Sequence, residues 1–389
     1  MALAALILVV MAMLLVAMLV QRLTRPLGVP FSAALVLIGF AGAQTIVGMG
    51  IDTGLRWYHF HDLVFYVFLP VLIFESAFNI DPRLLRANLI PVLVLAIPLM
   101  LVSVLVTGAL IYAGIGHPTG FPWLTALIAG TLLSATDPVA VLDLFKRAGA
   151  PARLTVLVEG ESLFNDATTI VLYTLLIAAA TATEGPGLTL SQGVLEFLTL
   201  FFGGAVVGAL IGVVGMGLLR VFQGTVQQAL LTVIAAYVSY LAAEAGLTVS
   251  GIMAVLVCGV LLGHEMRRPS ADDAFVHTLW AFNAWIANAL TFLLLGVTVT
   301  VAMFTERWLA MAIGIAAVLA VRTLGVYTAL PAIGRLPRVE PAPPGYRPVL
   351  AWGGLRGAVT VALALALPLG LTGWWTVQSI AYGVVLFTL

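Results

Sequence analysis

Thr136-Asp137-Pro138-Val139-Ala140-Val141 interrupts an apolar run from 122 to 146, and Gly353-Gly354-Leu355-Arg356-Gly357 interrupts another from 347 to 369. Neither stretch suits the middle of a continuous helix. Proline has no amide hydrogen and fits the first position of a helix, so Asp137 before Pro138 reads as the cap of a new half-helix. Three glycines within five residues weaken the second run. Two interrupted apolar helices at matching places in a chain point to a binding site at the bilayer midplane.

The rest of the chain supports a membrane setting. Of 389 residues, 62% are apolar and 9% are charged. A soluble domain usually carries about 25% charged residues. So much apolar surface needs lipid as part of its solvent. Lys plus Arg number 17, as do Asp plus Glu, so no net charge draws nucleic acid. The single Cys258 excludes an internal disulfide and a cysteine-rich metal site, and reads as packing. The first apolar run lacks a basic leader and a clear cleavage site, and reads as a membrane helix rather than a signal peptide.

Apolar runs predict an all-α integral membrane protein with thirteen spans, at 2–21, 30–48, 62–79, 89–115, 122–146, 153–181, 193–221, 226–245, 249–264, 275–301, 306–333, 347–369 and 373–389. The odd-numbered loops hold Arg22, Arg25, Arg83, Arg86, Lys146, Arg147, Arg153, Arg220, Arg267, Arg268, Arg335, Arg338 and Arg347, and the even-numbered loops only Arg56 and Arg307. Basic loops stay in the cytoplasm, which puts the N-terminus outside and the C-terminus inside the cell membrane. Spans 1–6 and 8–13 then form two six-helix repeats of inverted direction, with the unwound spans 5 and 12 in equivalent places.

Charged residues inside spans cost roughly 2.5–3.5 kcal/mol each even on a lenient scale, so they need partners or a function. Glu75, Asp137, Glu161, Asp166, Arg322 and Arg356 all lie well inside. Asp137 reads either as a structural charge on an unwound crossing or as an ion ligand. Unwinding frees the Thr136 carbonyl, which with its hydroxyl offers hard oxygen donors for a small cation. Arg356 is placed to face exposed carbonyl ends of the opposing half-helices. In span 6, Glu161 stacks on Asn165 and Ser162 on Asp166, four residues apart, together forming one polar wedge. Glu161 reads as the partner of Arg322 or Arg356. Buried acids outnumber buried bases, so at least one carboxylate lacks a permanent cation, and Asp166 reads as the group for which a cation and a proton compete. One carboxylate holding either one cation or one proton predicts electroneutral 1:1 exchange.

Three motifs, Thr136 to Val141, Glu159-Gly160-Glu161-Ser162-Leu163-Phe164-Asn165-Asp166 and Gly353 to Ala358, resemble the electroneutral sodium/proton antiporters of the cation:proton antiporter superfamily, the NhaP-type and sodium/hydrogen exchanger branch. Leu69 to Glu75, Ser250-Gly251, Asn288 to Gly296 and Arg322 also fit, so the resemblance covers nearly the whole chain. It implies a homodimer, with a dimerisation domain (1–79 and 193–301) and a core ion-transport domain (89–181 and 306–389). It implies that Asp166 carries the cation or proton, that Asn165 supports the site, and that the Thr136 carbonyl, Ser162 and Glu75 complete it. It also implies that Arg322 pairs with Glu161. Span 10 has Asn288 where animal members carry a glutamate, so animal selectivity does not transfer.

The expected function is secondary antiport of Na+, or of K+ or Li+, against H+ by alternating access, with no cofactor and no enzymatic activity. A potassium/proton antiporter of the same fold is the alternative. A cation channel would need a continuous pore, which broken inverted helices argue against. An intramembrane metalloprotease would need clustered ligands such as His-Glu-x-x-His. The five histidines, His59, His61, His117, His264 and His277, fall at span ends or in loops and read as solvated.

Overall fold

The computed structural model describes residues 3–49, 63–115, 121–181, 189–267, 271–337 and 339–389. Arg56, His59, His61, His117, Arg268 and Arg338 lie outside the described residues. Among those described, the regular structure is helical throughout, with no strand. Each of the thirteen apolar intervals contains helix.

The N-terminal helices are α1 (Leu3–Leu27), α2 (Phe31–Gly48) and α3 (Leu69–Asn79), the last entered through a π-turn at Val64–Phe68. Helix α1 runs six residues past the predicted 21. It ends at Gly28, whose φ of 67° is open to glycine at no steric penalty, two residues before Pro30. A short α4 (Pro82–Ala87) follows, capped by Asp81, whose Oδ1 accepts the amides of Arg83 at 2.9 Å and Leu84 at 3.1 Å. The fourth interval is α5 (Leu89–Val94) and α6 (Met100–Gly114), joined by a π-turn at Leu95–Leu99. Pro98 lies in that turn and lacks the amide that a regular ladder needs there.

The fifth interval breaks into α7 (Trp123–Leu132) and α8 (Val139–Ala148), with 133–138 unwound. Helix α8 begins one residue later than Pro138 at the first position would give. Then come α9 (Ala152–Thr181), α10 (Leu190–Val221), α11 (Thr225–Leu241), α12 (Gly251–Glu265) and α13 (Ala271–Thr298). Ser250 caps α12 by accepting the Met253 amide at 3.2 Å, which explains the Ser-Gly start of the ninth interval. Helix α14 (Val301–Ile333) absorbs the predicted tenth loop: Arg307, expected in that loop, lies in the helix at a kink (φ −124°, ψ 16°), with its guanidinium 5.3 Å from the centre of the Trp375 ring. The twelfth interval breaks into α15 (Tyr346–Trp352) and α16 (Ala358–Leu365), ending four residues short of 369, and α17 (Trp374–Thr388) closes the chain.

Seven of these helical stretches are long and apolar enough to cross a membrane: Ile7–Pro26, Leu89–Gly114, Ala152–Thr181, Ser191–Val221, Thr225–Gly246, Ala274–Thr298 and Val301–Ile333. The protein is thus a multi-pass membrane protein. Leucines and valines stand exposed along α1 and α10, as expected where lipid is the solvent.

Packing falls into two sets. In one, α2 lies on α13, and α12 lies between α3 and α10. In the other, α6 packs on α7 and α14, and α14 on α17. Small residues permit the closest crossings: a Cβ on Gly296 of α13 would stand 2.2 Å from the Val36 carbonyl of α2. The long α9 contacts both sets and carries the densest polar sequence across the interior.

Candidate functional site

The two breaks meet. The Asp137 amide donates to the Leu355 carbonyl at 2.8 Å, tying the unwound segment 133–138 to 353–357. The Asp137 carboxylate accepts from two helix starts: Oδ1 from the Val139 amide of α8 at 3.0 Å and Oδ2 from the Ala358 amide of α16 at 3.3 Å. One acid caps both half-helices, where its charge meets the positive ends of their dipoles. Gly357 is what lets it reach. A Cβ there would lie 1.8 Å from Asp137 Oδ2. Gly354 similarly yields to Arg322, whose Nε would be 2.8 Å from an added Cβ.

Unwinding leaves carbonyls without helical partners, and buried carbonyls need donors. Side chains from α9, α16 and the opposite break supply them. Thr360 donates to the Leu132 carbonyl at 3.0 Å, Asn165 Nδ2 to Ser134 at 3.0 Å and Arg356 Nη1 to Ala135 at 2.9 Å. The Ser162 hydroxyl donates to the Thr136 carbonyl. Arg356 therefore reaches the freed carbonyls of the opposite break. Glu161 pairs with Arg322 rather than Arg356, through one close contact at Nη1 and a second bond of 3.0 Å from Nη2 to Oε2. Arg322 also donates to the Leu350 carbonyl at the end of α15, from Nη2 at 2.8 Å and Nε at 3.2 Å.

In front of the crossing lies a cavity of about 70 Å³ lined by Asp166, Ser162, Thr136, Asp137, Glu75, Glu159 and Asn288, among others. That is room for a few waters or a small, partly hydrated cation. The cavity brings Asp166, Ser162 and Thr136 together with Glu75. Asp166 makes no hydrogen bond or ion pair with any described residue. Behind the crossing is a smaller space of about 20 Å³, lined by Glu161, Arg322, Arg356, Asn165, Ser134, Ser103 and Thr107 among others.

Two expectations change here. The polar residues of α9 do not form one face. Ser162 and Asp166 look into the front cavity, while Glu161 and Asn165 line the back. The unwound chain runs between them and divides the wedge. Asn165 consequently lines the back space rather than the cavity, with Nδ2 on the Ser134 carbonyl and Oδ1 accepting from Thr169 at 3.1 Å. His277, read as solvated, is half-buried: its Nδ1 lies 2.6 Å from Asn79 Oδ1, and its ring packs on Phe78 with centroids 4.9 Å apart. Glu159, which is not among the charged residues picked out above as lying well inside spans, lines the cavity as well. Its spacing signalled this, since it sits three and seven residues before Ser162 and Asp166.

The sequence matches the profile "Sodium/hydrogen exchanger, transmembrane" over residues 10–389. It is 36% identical to the Na(+)/H(+) antiporter ApNhaP of Aphanothece halophytica over 84% of this chain and 62% of that protein. It is 36% identical to the Na(+)/H(+) antiporter NhaP of Pseudomonas aeruginosa over 81% of this chain and 75% of that one, and 31% identical to NhaH of Halobacillus dabanensis over 98% and 93%. The chain spans only about three fifths of the length of ApNhaP. Its fold is similar to that of the sodium proton antiporter MjNhaP1 from Methanocaldococcus jannaschii, with a TM-score of 0.81 and 20% identity over 100% of this chain and 96% of that one. With the profile matched along almost its full length, the chain belongs to the sodium/hydrogen exchanger family.

Proposed function

We propose that the protein is a secondary antiporter that exchanges a monovalent cation, Na+ first, for H+ by alternating access, with cation and proton competing for Asp166. The observation that carries this reading is the Asp166 carboxylate: it lines a cavity between two broken helices, beside the Thr136 and Ser162 oxygens, with no hydrogen bond or ion pair to a described residue. A carboxylate in that position gains from either a proton or a small cation, and the oxygens around it suit a hard cation. The names of the curated relatives, Na(+)/H(+) antiporters, support the same pair of ions.

The architecture that goes with it has thirteen spans in two inverted six-helix repeats, with the N-terminus outside and the C-terminus in the cytoplasm. The two packing sets are taken as a dimerisation domain (1–79 and 193–301) and a core transport domain (89–181 and 306–389), and the protein as a homodimer. On this division Glu75 and Asn288 face the site from the dimerisation side, while Asp166, Ser162 and Thr136 belong to the core. Asp137, Glu161, Arg322 and Arg356 then serve as a structural charge network.

The test is exchange in proteoliposomes, read by a pH-sensitive dye, with Na+, Li+ and K+ offered in turn. Addition of Na+ is expected to dissipate a preset pH gradient, in a saturable way. A response to K+ alone would replace Na+ by K+ as cargo. Cation flux that does not depend on the opposing proton gradient would overturn antiport.

A further inference from the structure

The Glu75 carboxylate does not stand in the cavity alone. Asn79, one turn further along α3, donates from Nδ2 to Glu75 Oε1 at 2.7 Å, and its Oδ1 lies 2.6 Å from His277 Nδ1 on α13. The roles in this chain follow from the chemistry. An ionised carboxylate only accepts, so the amide must present its nitrogen to Glu75 and its oxygen to His277. The imidazole nitrogen facing that oxygen must then carry a proton. His277 thereby fixes which way round the Asn79 amide sits, and the amide fixes where the Glu75 carboxylate points.

The anchorage is firm at each link. The Asn79 carbonyl, at the end of α3, accepts from Arg267, which also pairs with Asp81 at 3.3 Å. Burial raises the Asp81 carboxyl, but the Leu84 and Arg83 amides and the charges of Arg267 and Arg83 outweigh it and hold Asp81 below the ordinary carboxylate range. The acid therefore stays charged and keeps Arg267 in place at neutral pH. On α13, Trp280 lies against Phe74 with centroids 4.3 Å apart and donates to Thr232 at 3.0 Å, which sets the helix that carries His277.

We propose that His277 and Asn79 are positioning residues for cation uptake: together they hold the Glu75 carboxylate at the wall of the cavity that Asp166 also lines, as a fixed attractor that draws the cation in without travelling with it. This rests on the reading of the cavity as the cation site. A carboxylate tethered to α3 and α13 raises the local cation concentration beside Asp166. Its hydrogen bond to Asn79 ties it to the helix that carries it. The effect belongs in apparent affinity rather than in turnover.

The experiment is Na+-dependent exchange in proteoliposomes for His277→Ala, Asn79→Ala, His277→Gln and Glu75→Gln, with the pair His277→Ala/Glu75→Gln and with Asp166→Asn as control. His277→Ala and Asn79→Ala are each expected to raise the Na+ KM by about tenfold, the size of one charge-assisted hydrogen bond, with maximal rate within about twofold. His277→Gln, which supplies an amide donor, is expected to restore most of the affinity. In the Glu75→Gln background, His277→Ala should add nothing, since the chain acts only through that carboxylate. Unchanged KM in both single variants, or an equal penalty from His277→Ala with Glu75 already replaced, would overturn the proposal. Exchange persisting in Asp166→Asn would instead overturn the reading of the cavity itself.

Discussion

Front and back of the crossing hold similar side chains and treat them in opposite ways. Behind it, Glu161 and Arg322 form an ion pair, Arg322 also binds the Leu350 carbonyl, and Asn165 and Arg356 each take a freed carbonyl. In front, Asp166 faces open space with no such partner among the described residues. Both acids ride on α9, five residues apart. The back ties the unwound chain down through its own side chains, and the front leaves one carboxylate without a described partner, as the proposed cargo site requires. An intramembrane charge is thus not by itself a sign of transport. What matters is whether the surrounding chain already satisfies it.

The largest contrast comes from replacing the two acids. Asp166→Asn keeps the shape and removes the titratable charge. Exchange is expected to fall to background, with unchanged thermal unfolding in detergent. Glu161→Ala strands Arg322 in the interior, and breaking a buried pair costs about 3–5 kcal/mol. It is expected to lower the unfolding midpoint sharply and reduce the yield of folded protein. If Asp166→Asn exchanged normally, or if Glu161→Ala were as stable as the parent, front and back would have been assigned the wrong way round.

A finer version uses the neutral residues. Ser162→Ala removes one cavity oxygen and the donor to the Thr136 carbonyl. The expected result is a two- to tenfold rise in cation KM, about the value of one neutral hydrogen bond, with a smaller loss of stability than Asn165→Ala because Thr136 lines the cavity, where water can take the place of the lost donor. Asn165→Ala removes the donor to the buried Ser134 carbonyl and is expected to cost about 1–3 kcal/mol of stability, read from chemical or thermal unfolding. A swap of these outcomes would place Asn165, not Ser162, on the cargo side.

The breaks at Thr136-Asp137-Pro138 and at Gly353 to Gly357 were legible because proline and glycine act locally, whatever surrounds them. The alternatives left open for Glu161 reduced to Arg322 only once α14 and α15 were in place. The division of α9 into two faces was not legible. Helical spacing gives the angle between Glu161 and Asp166 but not what lies between them, and here that is the unwound segment 133–138. The contact between Asn79 and His277 was not legible for a similar reason. They are 198 residues apart, and a hydrogen bond at that separation leaves no trace in periodicity. The contact of the Arg307 guanidinium with the Trp375 ring also joins residues far apart in sequence.

The smallest expected effect is none at all, and it follows from the same comparison. The crossing sets three acids, Asp137, Glu161 and Asp166, against two bases, Arg322 and Arg356. Asp137 is held by two helix starts and Glu161 by Arg322, so neither is free to trade its proton for a cation. Asp166 remains. Bearing one proton or one monovalent cation, it brings the set to neutrality; empty, it leaves one net negative charge in a medium that disfavours it. Under the proposed competition at Asp166, the loaded forms would move more easily than the empty one, leak would be suppressed, and each half-cycle would carry no net charge. Uptake into proteoliposomes is expected to proceed at the same rate with and without a potassium potential clamped by valinomycin. Rates should fall at low pH, where the proton outcompetes the cation, and apparent cation affinity should improve as pH rises. A steady current, or uptake driven by potential alone, would mean that a second cavity carboxylate exchanges its proton as well. Glu75 and Glu159 line that cavity, and Glu75→Gln and Glu159→Gln would then tell which of them abolishes the current.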